Sequence, residues 1–214
     1  MMPAPIPGLF RKVLSQLNKH GFILLSDSKL PNITTFVAGQ PIRGSWWGHP
    51  KGHDIFRVVC QIAEHPDVAV TKLISGKITF VHRKLWPALL AIATARDAWQ
   101  MNGLSRKARN LLQIVDRKRE IRADQLPKSP KTSRSPWRQA VRELEERLLV
   151  YAEEFHSETG AHAKRLESWQ HWAKRIGLAL VRLTLENARK DFEKIIQKLN
   201  SEYNTNARLP WKEM

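Results

Sequence analysis

Apolar residues return every three or four positions along most of this chain, and at one place they switch to alternation. Leu9/Phe10, Val13/Leu14 and Leu17 share a stripe that predicts a helix over 8–19, with Gly21 free to take a left-handed cap. Phe22–Leu25 reads as a short strand. Pro31–Ala38 reads as a helix with Pro31 in its first turn. A loop over 39–45 follows. Ile55, Phe56, Val58, Val59, Ile62 and Ala63 then define a helix over 49–65. Beyond His65-Pro66-Asp67 the period changes. Val68, Val70, Lys72 and Ile74 alternate with Ala69, Thr71 and Leu73, Ser75-Gly76-Lys77 turns the chain, and Ile78-Thr79-Phe80-Val81 returns it. Two β-branched runs around a glycine turn predict a hairpin over 68–82.

The rest predicts helices. Arg83–Gln100 is apolar nearly all round, with Pro87 near its start. Leu104–Arg119 carries Leu104, Ala108, Leu111/Leu112 and Val115 on one face and Arg106, Lys107, Arg109, Arg117, Lys118 and Arg119 on the other. Ile121–Leu126 gives no clear period. Residues 127–136, with Pro, Ser and Lys/Arg and almost nothing apolar, predict a flexible basic linker. Val141, Leu144, Leu148, Tyr151/Ala152 and Phe155 step by three and four. So do Leu166, Trp169, Trp172/Ala173, Ile176, Leu180, Leu183, Phe192, Ile195 and Leu199. These two stripes predict an antiparallel helical hairpin over 137–204, with a loose tail over 205–214. No repeat of fixed period is visible.

The order over residues 8–82 is helix, short strand, helix, helix, strand, basic turn, strand. It resembles the winged-helix arrangement, a helix-turn-helix followed by a two-stranded wing. That resemblance implies nucleic-acid binding, with the third helix in the major groove and the wing against backbone, although some winged helices bind only protein. The expected fold is therefore mostly α with a small β-hairpin. A basic winged-helix-like domain over 1–126 is extended by helices, and residues 137–204 form the C-terminal antiparallel helical hairpin. That hairpin is a candidate surface for a homodimer or protein partner.

Charge sharpens this picture. The net charge is +16, from 36 basic and 20 acidic side chains. Residues 1–126 hold 19 Lys/Arg against 8 Asp/Glu, whereas 136–214 hold 14 against 12. An excess of this size favours a polyanion, and DNA comes before RNA. A lone Cys60 excludes a disulfide framework and a cysteine zinc site. The first residues predict no secretory signal, and no apolar run reaches the ~20 residues a membrane span takes. A cytoplasmic protein without a membrane partner is expected.

The candidate nucleic-acid contacts are Arg43, Trp46, Trp47, Lys51, Arg57, Lys72, Lys77, Arg83 and Lys84. Cations on the loop, helix and wing would neutralise phosphates. The paired tryptophans would stack on bases or plug the core. Pro50 and Gly52 sit where the first turn of the recognition helix should be. His49 and His53 have helical metal-ligand spacing, but HPKGH lacks the glutamate of HExxH, so no metal and no cofactor are expected. His49, His53, Asp54 and His82, with Lys72 and Lys77, are the catalytic candidates for an enzyme acting on nucleic acid, of repair or nuclease type. No Walker loop, GxSxG or GxGxxG accompanies them. A further polar group, His156, Glu158, His162 and His171, surrounds the expected turn near 157–160. An adaptor that meets an acidic protein partner is the third class.

Overall fold

The computed structural model describes residues 7–127, 137–156, 162–179 and 183–212, the side chains of His156 and His162 excepted. The expected linker, apart from Pro127, and the turn at 157–160 lie outside these residues. In chain order the elements are α1 (Pro7–His20), β1 (Phe22–Leu24), α2 (Ile33–Ala38), α3 (Gly52–Ala63), β2 (Val68–Ile74), β3 (Lys77–His82), α4 (Trp86–Thr94), α5 (Ala98–Met101), α6 (Arg106–Lys118), β4 (Glu120–Arg122), α7 (Arg138–Glu146), β5 (Tyr151–His156), β6 (His162–Glu167), α8 (Trp169–Arg175) and α9 (Leu185–Glu202). The protein is mostly helical with two small three-stranded antiparallel sheets, ordered β1-β3-β2 and β4-β6-β5. It divides into two compact units, Met1–Trp86 with Arg189–Glu213, and Pro87–Ala188.

In the first unit the local chemistry follows the sequence closely. Gly21 takes φ 83° and closes α1 by donating its N–H to the Leu17 carbonyl at 2.8 Å. Asn32, rather than Pro31, opens α2: its side chain accepts from the Thr35 N–H at 2.9 Å. Gly52 starts α3 because a β-carbon there would meet the Trp47 and Trp46 carbonyl oxygens at 3.0 and 3.1 Å. Alternation along the strands sends Ile23, Val68 and Phe80 into a core with Val13, Leu17, Ile33, Val37, Ile55, Val58 and Ile62 of α1–α3. Phe22 points the other way and stacks on Phe192 of α9, ring centroids 6.4 Å apart. The sheet is thus covered on both faces, which is why β1 is buried at all three positions.

The segment expected as a loose tail is docked. Asn200 of α9 exchanges two hydrogen bonds with the Ala207 backbone, both at 2.9 Å. Leu209 is buried, and the Trp211 indole donates to Glu193 at 2.9 Å. Arg208 reaches the turn of the β2–β3 hairpin, where the Ser75 N–H donates to its carbonyl at 3.0 Å. The expected wing therefore has its tip tied to the carboxy-terminal segment.

The second unit departs further from expectation. The long helix expected over 83–100 breaks at Arg96, φ 53°, and restarts at Asp97, which forms a capping box with Gln100. Residues 137–204 are not a helical hairpin. α7 stops at Glu146, Leu148 takes φ 52°, and β5 and β6 pair antiparallel from Tyr151↔Glu167 to His156↔His162. Ion pairing across the strands (Glu153 with Arg165) supplies the charges that read as a solvated helix surface. The core of this unit gathers Leu104, Ala108, Leu111, Leu112 and Val115 of α6 and its approach, Ala140, Val141 and Leu144 of α7, and Leu166 of β6. Arg147 satisfies three carbonyls, those of Trp99, Gln100 and Asn102.

The two units repeat one connectivity. A helix, one left-handed residue, a short first strand, further helix, and a hairpin whose second strand lies between the other two describe both. Arg119 (φ 70°) stands where Gly21 does, its N–H donating to Val115 at 2.7 Å. The next link matches too: His82 N–H donates to the Gly21 carbonyl at 2.9 Å, and Ser168 N–H to that of Arg119 at 2.8 Å. Registers then correspond residue by residue, Phe22↔Val81↔Ala69 in one sheet and Glu120↔Glu167↔Tyr151 in the other.

Candidate nucleic-acid interface

Trp46, Trp47 and Gly48 form a single 3-10 turn, closed by the His49 N–H donating to the Trp46 carbonyl at 3.1 Å. The turn leans on the start of α3 through Gly52. The two indoles stack with centroids 4.1 Å apart and planes 24° from parallel, and Trp47 reaches Phe56 of α3 at 5.6 Å. Trp46 is half-buried and packs against the α1–α3 core. Trp47 is 65 % exposed and Phe56 36 % exposed. The two tryptophans differ: Trp46 anchors the turn against the core, and Trp47 lies open as a flat aromatic surface. Stacking of this kind contributes about 0.5–1.5 kcal/mol beyond area, enough to hold Trp47 in place without covering it. Phe56 was legible only as part of the apolar stripe of α3; its place one residue past Ile55, at the edge of the buried line Ile55, Val58 and Ile62, is the signal of its exposure.

Around this aromatic step, Arg43 is exposed on the preceding loop, His53 is exposed, and Arg57 stands 3.9 Å from Asp54. Lys51 is exposed along part of its length, but its ammonium donates to the Val37 carbonyl at 3.2 Å and the Ala38 carbonyl at 3.4 Å, capping the end of α2. The remaining cations do not converge here. Lys77 opens β3 and pairs with Asp27 at 2.6 Å. Burial alone would raise the Asp27 carboxyl, but the Lys77 ammonium and the backbone N–H groups of Lys29 and Leu30 outweigh it and hold the carboxyl below its ordinary value. Arg83 pairs with Asp67 at 2.9 Å, Lys84 donates to the Asn18 carbonyl, and Lys72 is a half-buried residue of β2. The hairpin tip, residues 75–78, is exposed, with its turn held by the Arg208 backbone and Lys77 paired with Asp27.

Two of the catalytic candidates, His49 and His82, are engaged by the backbone beside them. His49 Nδ1 accepts from the Lys51 N–H at 3.1 Å and His82 Nδ1 from the Lys84 N–H at 3.3 Å, each closing its own turn. Burial, seconded by Lys84, keeps His82 below the ordinary histidine value, so it stays neutral. Cys60 is half-buried, and burial raises its thiol, which keeps it protonated.

A second polar centre, which the sequence reading touched only at His171, lies in the second unit. Glu167, 1 % exposed, ends β6. Arg175 binds both its oxygens, Nη2 at 2.8 Å and Nε at 3.0 Å, and His171 Nδ1 lies 2.7 Å from Oε1. An ionised carboxylate only accepts, so Nδ1 carries the proton. The bond to Glu167 raises Arg175 above its ordinary value. Ligand-type atoms of Glu120, Glu167 and His171 lie within 4.8 Å of one another. With the guanidinium already on Glu167, the set works as an ion-pair network that pins α8 to β6. The sequence signal was there as Glu167, His171 and Arg175 at intervals of four, but it spans a strand-to-helix junction capped by Ser168.

Residues 10–208 match a family profile described as AlkZ related, and the chain belongs to the AlkZ-related family. Neither a curated relative nor a solved structure matches it. Among the described residues no helix is long and apolar enough to cross a membrane.

Proposed function

We propose that this chain binds DNA through the aromatic turn at the start of α3, with Trp47 stacking on an exposed or unpaired base and Arg43 and Arg57 meeting the adjoining phosphates. The observation that carries this reading is the exposed face of Trp47, held by Trp46 and Phe56 in a chain of net charge +16. The family supports it: AlkZ, from which the family takes its name, is a DNA glycosylase of crosslink repair. The element order of the first unit, α1-β1-α2-α3-β2-β3 with sheet order β1-β3-β2, supports a winged helix whose third helix is α3. Base stacking on an aromatic side chain contributes ~1–3 kcal/mol per base. Trp47→Ala is therefore expected to weaken binding of single-stranded or mismatched DNA about tenfold, as read by fluorescence anisotropy at several salt concentrations, while the lost stacking lowers Tm by only about a few degrees. Wild-type affinity in that variant, or no DNA binding by the wild type, overturns the proposal.

Family membership favours a second reading, an enzyme that removes a damaged base. Release of a labelled alkylated base from duplex DNA, measured by chromatography, decides it; a chain that binds such duplexes but releases nothing is a binding protein only.

A further inference from the structure

A pocket of about 500 Å³ opens within the second unit, among Arg96, Asp116, Arg119, Ser168, His171 and Lys174. Its size falls in the range of small-ligand sites. Three cations line it against one carboxylate, and that carboxylate, Asp116, is taken by Arg96 at 2.6 Å. Arg119 and Lys174 are exposed. The pocket's wall is fixed. Glu167 holds His171 through Nδ1, and Ser168 caps α8 by accepting from the His171 N–H at 3.3 Å.

A second, independent feature points to the same place. Of the five non-glycine residues with positive φ among those described, two are arginines, Arg96 and Arg119, and both line this pocket. The corresponding junction in the first unit is Gly21, the residue type that adopts this conformation freely. Strained backbone of this kind is held by its surroundings and clusters at ligand-binding sites. Here the side chains it carries are two guanidiniums, the groups best shaped to grip phosphate oxygens in pairs.

We propose that this pocket binds a phosphate group, with Arg119 and Lys174 as its principal cations, Arg96 as a supporting one and the Glu167–His171 pair as its fixed wall. The phosphate comes either from the backbone of nucleic acid or from a free phosphate or phosphomonoester. The site is confined to the second unit and does not depend on Trp47.

The test uses the full chain, titrated with inorganic phosphate by phosphorus NMR and with labelled duplex DNA by anisotropy. Arg119→Gly is expected to weaken inorganic phosphate at least fivefold while its Tm stays at or above wild type, Lys174→Gln to weaken it severalfold, and Arg119→Lys to recover part of the loss. A parallel loss of DNA affinity in Arg119→Gly, with a salt slope smaller by about one phosphate contact, assigns the site to the nucleic-acid backbone. Unchanged DNA affinity with lost phosphate binding assigns it to the free or monoester form. Phosphate binding in a chain that ignores DNA leaves the pocket standing and removes only the Trp47 proposal. The inference is overturned if Arg119→Gly binds phosphate as wild type does, or if wild type binds no phosphate and Arg119→Gly leaves DNA affinity unchanged.

Discussion

Two sheets of the same connectivity and register carry opposite chemistry on one of their faces. Phe22, Val81 and Ala69 of the first unit are buried and apolar, and Phe22 stacks on Phe192 of α9. At the same register positions the second unit places Glu120, Glu167 and Tyr151, and answers them with His171 and Arg175 of α8. The core-facing side is conservative in both, Ile23 and Phe80 against Ile121 and Leu166. A strand exposes alternate residues to different neighbours, so one face can hold the fold while the other is turned to ionic use.

The sharpest way to break this comparison is to swap the matched central residues. Glu167→Ala takes the shared buried carboxylate from Arg175 and His171, both part-exposed, and is expected to cost about 3 kcal/mol, the low end of the buried-pair range. Val81→Ala at the same register position only opens a small cavity and is expected to cost about 2 kcal/mol. Urea denaturation reads both. An inert Glu167→Ala would mean that the network does not hold α8.

The helix-to-strand junctions come next. Gly21→Ala puts a β-carbon at φ 83° and 2.9 Å from the Leu85 side chain, and is expected to destabilise by about 1–2 kcal/mol. Arg119→Gly relieves φ 70° at some cost in unfolded-chain entropy, and is expected to stabilise by about 0–1 kcal/mol. Opposite signs at matched positions are the signature to look for; like signs would deny the correspondence.

A smaller effect separates the hairpins by pH. The folded Asp27 carboxyl titrates below its ordinary 3.8, so its contribution is present above that value and is lost as pH falls through the folded pKa. Asp27→Asn is expected to flatten the fall of Tm below pH ~4, by less than the equivalent of ~1 kcal/mol because Lys77 is half-exposed. No flattening would mean that Lys77 is free of Asp27 in solution.

The sequence made the first unit legible because its signals are local and agree: a helical stripe, Gly21, a glycine-tipped β-branched hairpin. It hid two things there. Partners distant in sequence engage the basic hairpin, the Asp27 carboxylate on Lys77 and the Arg208 backbone on the turn, and no period reports a contact across that distance. Trp46 and Trp47 look alike in sequence and part only when the turn packs on Gly52. In the second unit the reading of 137–204 as paired helices failed for a physical reason. Leu144, Leu148, Tyr151 and Phe155 keep helical spacing across a helix, a left-handed Leu148 and a strand, and Glu153 and Arg165 supply charges that suit either element. The long helix expected over 83–100 failed similarly, since nothing apolar marks the break at Arg96.

The claim on which the rest leans is that DNA meets the aromatic start of α3 rather than the tip of the β2–β3 hairpin. Trp47→Ala and Lys77→Gln, compared side by side against one mismatched duplex at one salt concentration, test it directly. The expected result is a loss of about tenfold for Trp47→Ala and less than about twofold for Lys77→Gln. The reverse order would place the contact on the hairpin and contradict the account.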